Sequence, residues 1–396
     1  MDSILHLKSE LCFPESPNPS LRLSVIVPAK NEAQFITSTL HALRKQFDDF
    51  GNPVSHQLYE VLVLANNCSD ETFEICKRYQ QDFPGLNLYV QCLNLDKDIA
   101  HIGTARRLLM DAAFSRLNQV VGKKGIIVST DADSEVDGCW IHHILTEMEQ
   151  GVDVVGGRII PSDTPSLSKI HHLRDVTYRF LKTRLEAEID PCVKNPWPRH
   201  FQCYGPSLAV TCDIYERAGR IPAIPFLEDE EFRKALKNVD AIMRHSPKVR
   251  VYTSSRLQGR VDFGFSVQLQ QWENMSLKRE EQMVESLETV MTKFSFKKEL
   301  RQLWESAKAD RQVIRDINLI AFKLHFDSDA LLALINEHQY FESLWELMEQ
   351  HLTENFPDLL VLIPVSEAIA DCRNYFAAQS TVDGEETELN DIAMAV

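Results

Sequence analysis

The feature that most constrains the fold is an alternation of short apolar runs with amphipathic stretches through the first half of the chain. The apolar runs predict strands, and the stretches between them have the apolar spacing of helices. The predicted strands are 21–29, 59–67, 86–93, 124–133 and 152–159, with helices at 31–47, 69–83 and 103–117. Strands separated by single helices need crossover connections, which predicts an α/β fold with a mostly parallel, Rossmann-like sheet and helices on both faces.

Polar clusters follow three of these strands at the point where each one ends. They read "PAKNE", "ANNCSDE" and "STDADSE". Ligands of parallel α/β sheets bind outside the carboxyl ends of the strands, so the clusters should converge on one binding edge.

Composition limits the class of protein. The net charge is −16, which argues against a general nucleic-acid binder, because such proteins carry basic surfaces. The nine cysteines include no C-x-x-C pair, which disfavours a zinc ribbon and suits reduced thiols. Neither a signal peptide nor a run of about 20 apolar residues is recognisable, so we expect a cytoplasmic protein without a transmembrane segment.

The cluster "STDADSE" places Asp131 and Asp133 after the fourth strand. If the extended geometry persists to Asp133, both carboxylates face the same side, where they suit Mg²⁺ or Mn²⁺ together with substrate phosphates. Helix capping is the competing interpretation. We expect Ser134, Glu135 and Asp137 to begin the next helix and only Asp131 and Asp133 to bind metal.

Two earlier clusters allow the same pair of interpretations. Asn31 suits the N-cap and Glu32 the first turn of a helix, although their position also allows ligand contact. Asp70 or its neighbour Ser69 is expected to cap the following helix, while Asn67 suits a tight turn or base recognition.

An acidic segment and a basic segment lie farther along the chain. "FLEDEEF" includes Glu228 and Asp229 at a predicted helix start, where adjacent acids are usually solvated but one could act as a general base. "TSSRLQGR" carries Arg256 and Arg260, which suit phosphate contacts or an ordinary surface loop.

The second half divides differently. The pattern is irregular from 161 to 266, helical without strands from 270 to 376, and acidic without periodicity at the end. The predicted organisation is an N-terminal extension (1–20), an α/β domain (21–268), a helical C-terminal region (269–377) and a disordered tail (378–396). The C-terminal helices are expected to pack as a bundle and offer a surface for oligomerisation.

Taken together, these segments resemble the family 2 nucleotide-sugar glycosyltransferases of the GT-A fold. The resemblance rests on the order of "LSVIVPAKNEAQFITSTLHAL", "EVLVLANNCSDET", "GTARRLLMDAA", "GIIVSTDADSEVDGCWI", "LEDEEF" and "VYTSSRLQGRVDFGF", and it covers about 21–266. It implies an inverting transfer of a sugar from a nucleoside-diphosphate sugar to a hydroxyl acceptor. The family's Q-x-x-R-W element is not found, so a processive polysaccharide synthase is not expected.

The resemblance also implies roles for individual residues. Asp133 would bind the divalent metal, Mn²⁺ or Mg²⁺, and Asp131 would contact ribose or metal. Asp229 would be the catalytic base, supported by Glu228. The nucleotide-sugar pocket would be lined by Pro28, Ala29, Asn31, Glu32, Asn67, Asp70, Arg106, Asp131, Arg256 and Arg260.

Two other functions compete with this interpretation. A haloacid-dehalogenase-like phosphatase also carries D-x-D-x-S/T after an apolar strand, but it needs that motif on its first strand rather than the fourth. A catalytically inactive nucleotide-sugar-binding protein would keep the fold and recruit partners through the C-terminal helices.

Overall fold

The computed structural model describes residues 11–161, 167–254, 265–309 and 314–383. The strands are β1 (Leu23–Ala29), β2 (Tyr59–Asn66), β3 (Leu88–Leu93), β4 (Ile126–Ser129), β5 (Ser134–Val136), β6 (Val154–Pro161), β7 (Leu208–Thr211), β8 (Met243–Thr253), β9 (Met283–Glu285) and β10 (Leu362–Pro364). The helices are α1 (Ile36–Arg44), α2 (Thr72–Asp82), α3 (Ile102–Val120), α4 (Trp140–Glu149), α5 (Lys169–Ile189), α6 (Cys212–Arg217), α7 (Glu228–Lys237), α8 (Phe265–Lys278), α9 (Leu287–Lys308), α10 (Ile314–Lys323), α11 (Ser328–Glu337), α12 (Phe341–Asn355) and α13 (Val365–Asp383).

The large sheet has the strand order β3-β2-β1-β4-β7-β6-β8-β5. Strand β1 runs parallel to β2 and β4, β2 runs parallel to β3, and β6 runs parallel to β8. Strand β7 is antiparallel to both of its neighbours, and β5 is antiparallel to β8. The predicted mainly parallel α/β sheet is therefore confirmed, with two antiparallel insertions.

Both faces of this sheet are covered. In β1, Leu23, Val25 and Val27 belong to a core shared with α1, α2 and α4, whereas Ile26 points into the core formed with α3, α6 and α7. Successive side chains of a strand face opposite sides, so a strand buried on both faces is apolar throughout. The prediction of helices on both faces is confirmed.

Three predictions for the second half need correction. The segment predicted to be irregular contains α5, a helix of 21 residues, and the short strand β7. The C-terminal region is not free of strands, because β9 pairs antiparallel with β10. Helix α13 extends to Asp383, so the predicted disordered tail begins with helical residues, and 384–396 lie outside the described residues.

The C-terminal helices form two apolar clusters. One lies among α9, α10, α11 and α12, and the other joins α5 to α9 and α13. Leu181 and Leu185 of α5 are buried in the second cluster, so this region packs directly on the α/β part of the chain. Among the described residues, none of the helices has the length and apolar character that crossing a bilayer requires.

Candidate functional site

The binding edge is organised around the side chain of Arg106, near the start of α3. Its Nε donates to Glu228 Oε1 at 3.1 Å, and Nη2 donates to Asp131 Oδ1 at 3.0 Å. Nη1 donates to Ser129 Oγ and to the carbonyl oxygen of Gly205, the latter at 2.9 Å. One guanidinium therefore joins the end of β4, the start of α7 and the segment before β7.

The charges around Arg106 do not balance. Burial opposes the charge of this guanidinium, but Asp131, Glu228 and Asp229 outweigh it and raise the pKa of Arg106. Burial also raises the pKa of Asp131 to about 6, with Arg106 acting against the rise and Asp133 adding to it. The pKa of Glu228 is raised by its burial, again against Arg106 and with help from Asp229. Several carboxylates thus share one cation, and the excess is negative.

Close packing at two glycines makes this arrangement sterically possible. A Cβ atom on Gly205 would lie 2.6 Å from the guanidinium carbon of Arg106, and one on Gly103 would lie 2.0 Å from the carbonyl oxygen of Ile224. A side chain at Gly103 would displace the backbone of Ile224, and one at Gly205 would displace the guanidinium of Arg106.

Asp229 lies one residue beyond the ion pair between Arg106 and Glu228. Its Oδ2 accepts the backbone N–H of Gly205 at 2.8 Å, and its Oδ1 accepts the N–H of Glu230 at 2.9 Å. Leu227, directly before the helix, has a positive φ of 57°, which is unfavourable for a residue with a branched side chain. This strained residue lies directly before Glu228 and Asp229, whose carboxylates lie at the edge of the sheet.

The geometry of Asp131 and Asp133 differs from the extended arrangement. Strand β4 ends at Ser129, and Asp131–Asp133 form a turn closed by the N–H of Ser134 donating to the carbonyl of Asp131. Asp133 Oδ2 accepts a hydrogen bond from Ser254 Oγ at 2.7 Å. The two carboxylates are therefore presented by a turn. Arg106 holds the carboxylate of Asp131, and Ser254, directly after β8, holds that of Asp133.

Asp131 and Asp133 could provide only part of the coordination shell of a divalent cation. Within the described ranges, no three His, Cys, Asp or Glu side chains come together as a preformed metal cluster. However, Mg²⁺ and Mn²⁺ commonly take only one or two carboxylates and complete their coordination with water and substrate phosphates. Burial, with a contribution from Asp133, raises the pKa of Asp131, and a bound cation would favour the charged carboxylate.

The predicted helix start at Ser134 and Glu135 is wrong. Both residues belong to β5, which pairs with β8, and Ser134 Oγ hydrogen-bonds to Thr253 Oγ1 at 3.1 Å. Asp137 does precede the helix, and its side chain accepts the N–H of Cys139. Pairing with a strand more than 100 residues away overrides the local capping pattern.

The loops after β1 and β2 hold one another. Asn31 has a positive φ of 55°, and its Oδ1 accepts the N–H of Ser69 at 2.7 Å. Asp70 Oδ2 accepts the N–H of Ala33 at 3.0 Å, and the N–H of Glu32 donates to Thr72 Oγ1 at 2.8 Å. The predicted N-cap at Asn31 is wrong, because α1 begins only at Ile36. The predicted cap of α2 is one residue off: the N-cap is Glu71, without a side-chain cap, although Asp70 before it accepts the N–H of Thr72.

The remaining predicted residues fall into three groups. Pro28 and Ala29 are buried in the last two positions of β1, next to the Asn31 loop. Asn67 uses its amide on the backbone of Leu95, donating to the carbonyl and accepting the N–H, so it holds the segment after β3 in place. Arg256 and Arg260 lie outside the described residues.

Three residues that complete the site were not singled out from the sequence. They are Ser129 and the carbonyl of Gly205, which bind Arg106, and Ser254, which binds Asp133. Serine and glycine are common in loops, and only the proximity of β4, β7 and β8 gives these residues their partners.

Comparison with known proteins gives this site a context. Residues 24–197 match the model of Glycosyl transferase family 2. No curated protein sequence matches the chain. Among solved structures, it is similar to residues 1–349 of TarS from S. aureus in complex with UDP-GlcNAc, with 15% identity, a TM-score of 0.42 and coverage of 84% of this chain and 92% of that chain.

Two further structures are similar at the same level. They are the mannosyltransferase PcManGT from Pyrobaculum calidifontis in complex with GDP-Man and Mn²⁺ (15% identity, TM-score 0.39, 94% of this chain and 84% of that chain) and GalNAc-T7 with UDP, GalNAc and Mn²⁺ (13% identity, TM-score 0.43, 85% and 58%). The family match, which contains the loops after β1 and β2 together with Arg106, Asp131 and Asp133, carries the assignment. Residues 24–197 therefore match a glycosyl transferase family 2 domain, and the chain is a glycosyltransferase.

Proposed function

We propose that this glycosyltransferase is metal-dependent and inverting, and that it moves a sugar from a nucleoside-diphosphate sugar to a hydroxyl acceptor. The observation that carries the proposal is the excess of carboxylate charge around Arg106 at the carboxyl edge of the sheet. An excess of this kind suits a ligand that arrives with a cation.

The metal would be held by Asp133, with Asp131 beside it. Ser254 orients Asp133, and Arg106 orients Asp131, so each carboxylate keeps a fixed direction. Bound Mn²⁺ or Mg²⁺ would supply positive charge to the diphosphate leaving group. The two carboxylates thus serve as the protein's share of an oxygen coordination shell.

Asp229 would remove the proton from the acceptor hydroxyl. Each of its oxygens accepts one backbone N–H, and a carboxylate oxygen has a second lone pair, so it can still accept the proton of the acceptor. A base fixed on one side of the donor sugar supports a single direct displacement, which inverts the anomeric centre. Glu228 is then a positioning residue that holds Arg106.

The nucleotide would lie over the loops after β1 and β2. Asn31, Glu32 and Asp70 belong to the hydrogen-bonded pair of loops there, and Asn67 supports them through Leu95. Arg256 and Arg260 remain predicted diphosphate contacts. The nine free thiols suit a reducing compartment, which supports a cytoplasmic location, and the C-terminal helices remain the proposed surface for oligomerisation.

A donor screen tests the proposal. Release of nucleoside diphosphate is measured for a panel of nucleotide sugars with Mn²⁺, with Mg²⁺ and with a chelator. We expect one donor to support metal-dependent release, with inversion visible in the product by NMR. Release that is unaffected by the chelator would refute the metal dependence, and binding of every donor without turnover would favour the inactive binding protein.

A further inference from the structure

A second concave site lies between the α/β part of the chain and the C-terminal helices. It is a pocket of about 470 Å³, walled by α5, the 195–204 segment and α7 on one side and by α9 and α12 on the other. Pockets for small-molecule ligands have volumes of roughly 300–1,000 Å³. This volume therefore suits a compact metabolite.

Basic side chains outnumber acidic ones in the lining of this pocket, whereas acidic residues are in excess in the whole chain. Seven Lys and Arg side chains line it against three Asp and Glu side chains, although the whole chain has 42 basic and 58 acidic residues. Folding has concentrated basic side chains from distant segments in one enclosure. Six of the seven cations are ion-paired with nearby carboxylates, and among the described residues only Lys237 lacks such a pair.

Acidic residues next to the pocket hold several of these cations in place. Glu285 pairs with Lys182 at 2.5 Å and with Lys293 at 2.6 Å. Glu342 pairs with Lys297 at 2.7 Å. An ammonium group has three N–H donors, so one ion pair fixes the position of each lysine and leaves donors for a ligand.

Lys237, at the C-terminal end of α7, has no such support. Its ammonium makes no hydrogen bond or ion pair with the part of the chain that the structure describes. Burial, followed by the cations Arg233 and Lys297, lowers the pKa of Lys237, while Glu342 and Glu186 act in the opposite direction. A partly buried cation that faces other cations suits an anionic ligand.

Helix α7 connects this pocket to the candidate catalytic site. Asp229, Arg233 and Lys237 occupy positions i, i+4 and i+8 of the helix, so they lie along one face. Tyr204 lines the pocket, and the next residue, Gly205, donates its N–H to Asp229. A ligand in the pocket therefore touches the two elements that position the proposed base.

We propose that this pocket binds a phosphorylated small molecule, whose phosphate is held by Lys237, Arg233 and the lysines of α9. Arg233 donates from Nε and Nη2 to Glu230, which leaves Nη1 for a ligand, and the lysines supply point charges. Together these donors suit the oxygens of a phosphate group. The bound molecule is either the acceptor or an effector that acts on the segment around Asp229.

Inorganic pyrophosphate is the first probe, with the unfolding temperature of the full chain as the readout. In the wild type, we expect pyrophosphate to raise this temperature by at least about 2 °C at saturation, beyond the effect of sodium chloride at equal ionic strength. In Lys237→Met, we expect this rise to disappear and the unfolding temperature without pyrophosphate to be unchanged or higher. Lys237→Arg should restore the rise.

Lys234→Met is the matched control, because Lys234 lies on the same helix but is half exposed and pairs with Glu231. It should keep the full pyrophosphate effect. No specific effect in the wild type, or an equal effect in wild type and Lys237→Met, would overturn the proposal. This binding test does not depend on glycosyl transfer, so it can succeed or fail independently of the function proposed above.

Release of nucleoside diphosphate then distinguishes the two sources of the ligand. An increase with glycerol 3-phosphate, which has hydroxyl groups, but not with pyrophosphate identifies the pocket as an acceptor site. The same response to both anions identifies an effector site. Either response must be lost in Lys237→Met, and a response that persists in this variant contradicts the assignment.

Discussion

Helix α3 carries two buried arginines that form opposite kinds of ion pair. Arg116 binds Glu60 in a bidentate arrangement, with Nε–Oε1 and Nη2–Oε2 distances of 2.9 and 2.7 Å, and Ser24 donates a further hydrogen bond to Glu60. Arg106, ten residues earlier, shares its charge among Asp131, Glu228 and the nearby Asp229. The first pair is balanced, whereas the second has an excess of negative charge.

The difference separates a structural ion pair from a binding site. The Glu60 side chain is 1% exposed, and its oxygens are occupied by Arg116 and Ser24, so the pair has nothing left to offer a ligand. The Asp131 side chain is 29% exposed, and burial together with the neighbouring Asp133 raises its pKa to about 6 against the effect of Arg106. Burial of charge alone does not mark a site; burial with incomplete compensation does.

The largest effect is expected from Asp229→Asn, in the group of carboxylates around Arg106. Because this change removes the proposed base while keeping a similar shape, we expect transfer to fall by about 10²- to 10⁴-fold. The apparent affinity for the donor should stay nearly unchanged. The rate of product formation at saturating donor measures the effect.

Glu231→Gln is the matched control for that variant. Glu231 lies on the same first turn of α7 but pairs with the exposed Lys234, so its loss should leave the rate within about twofold of wild type. Equal losses in the two variants would mean that the helix, and not the Asp229 carboxylate, matters.

The balanced pair is best probed by Glu60→Gln. This variant leaves the Arg116 charge buried without a carboxylate, and we expect it to lower the free energy of unfolding by about 3–5 kcal/mol. The same substitution at Glu228 should cost less, because Arg106 keeps Asp131 and because burial already raises the pKa of Glu228. Urea unfolding of both variants measures the difference. A larger loss in Glu228→Gln would show that the two regions do not differ as described.

The pH dependence of stability sharpens the comparison. Asp131 has a pKa raised from 3.8 to about 6, so the folded protein binds a proton at higher pH than the unfolded chain. The stability that this carboxyl contributes is therefore complete below pH 3.8 and is lost as pH rises through about 6. Relative to Asp131→Asn, the metal-free wild type should gain stability between pH 7 and pH 4.5. Thermal unfolding at several pH values checks this, and parallel curves for the two proteins would contradict it.

The smallest expected effect is that of Ser254→Ala. This residue donates one hydrogen bond, of 2.7 Å, to Asp133, and its loss should cost about 0.5–1.5 kcal/mol of metal-dependent donor binding, or roughly two- to tenfold in affinity. Ser134→Ala provides a nearby control, because the Ser134 hydroxyl bonds to Thr253 and not to a carboxylate of the site. A loss in both variants of the same size would point to β8 as a whole.

The strands and helices that could be predicted are those whose own segment carries the apolar pattern of a buried element. The apolar runs of β1, β2, β3 and β4 and the amphipathic spacing of α1, α2 and α3 give the parallel half of the sheet and its binding edge. The four residues of β7 were not predictable, because they become a strand only between β4 and β6, which are distant in the chain. The three residues of β5 depend in the same way on β8.

For the site, the sequence identified the carboxylates but not their partners. Asp131, Asp133 and Asp229 stand out as acids at strand and helix ends, whereas the contact of Arg106 with Glu228 joins positions 122 residues apart. The positive φ angles of Asn31 and Asn67 also depend on the contacts of their side chains with neighbouring loops. The sequence shows which acidic residues could act in a site, but which cations neutralise them is determined by contacts between distant segments of the folded chain.

The central claim is that the unbalanced carboxylates receive a nucleotide together with a divalent cation. Isothermal titration of a nucleoside diphosphate into the wild type and Asp133→Ala, with and without Mn²⁺, tests it most directly. The account predicts binding to the wild type that depends on Mn²⁺ and is largely lost in the variant. Equal affinity in all four titrations would contradict it.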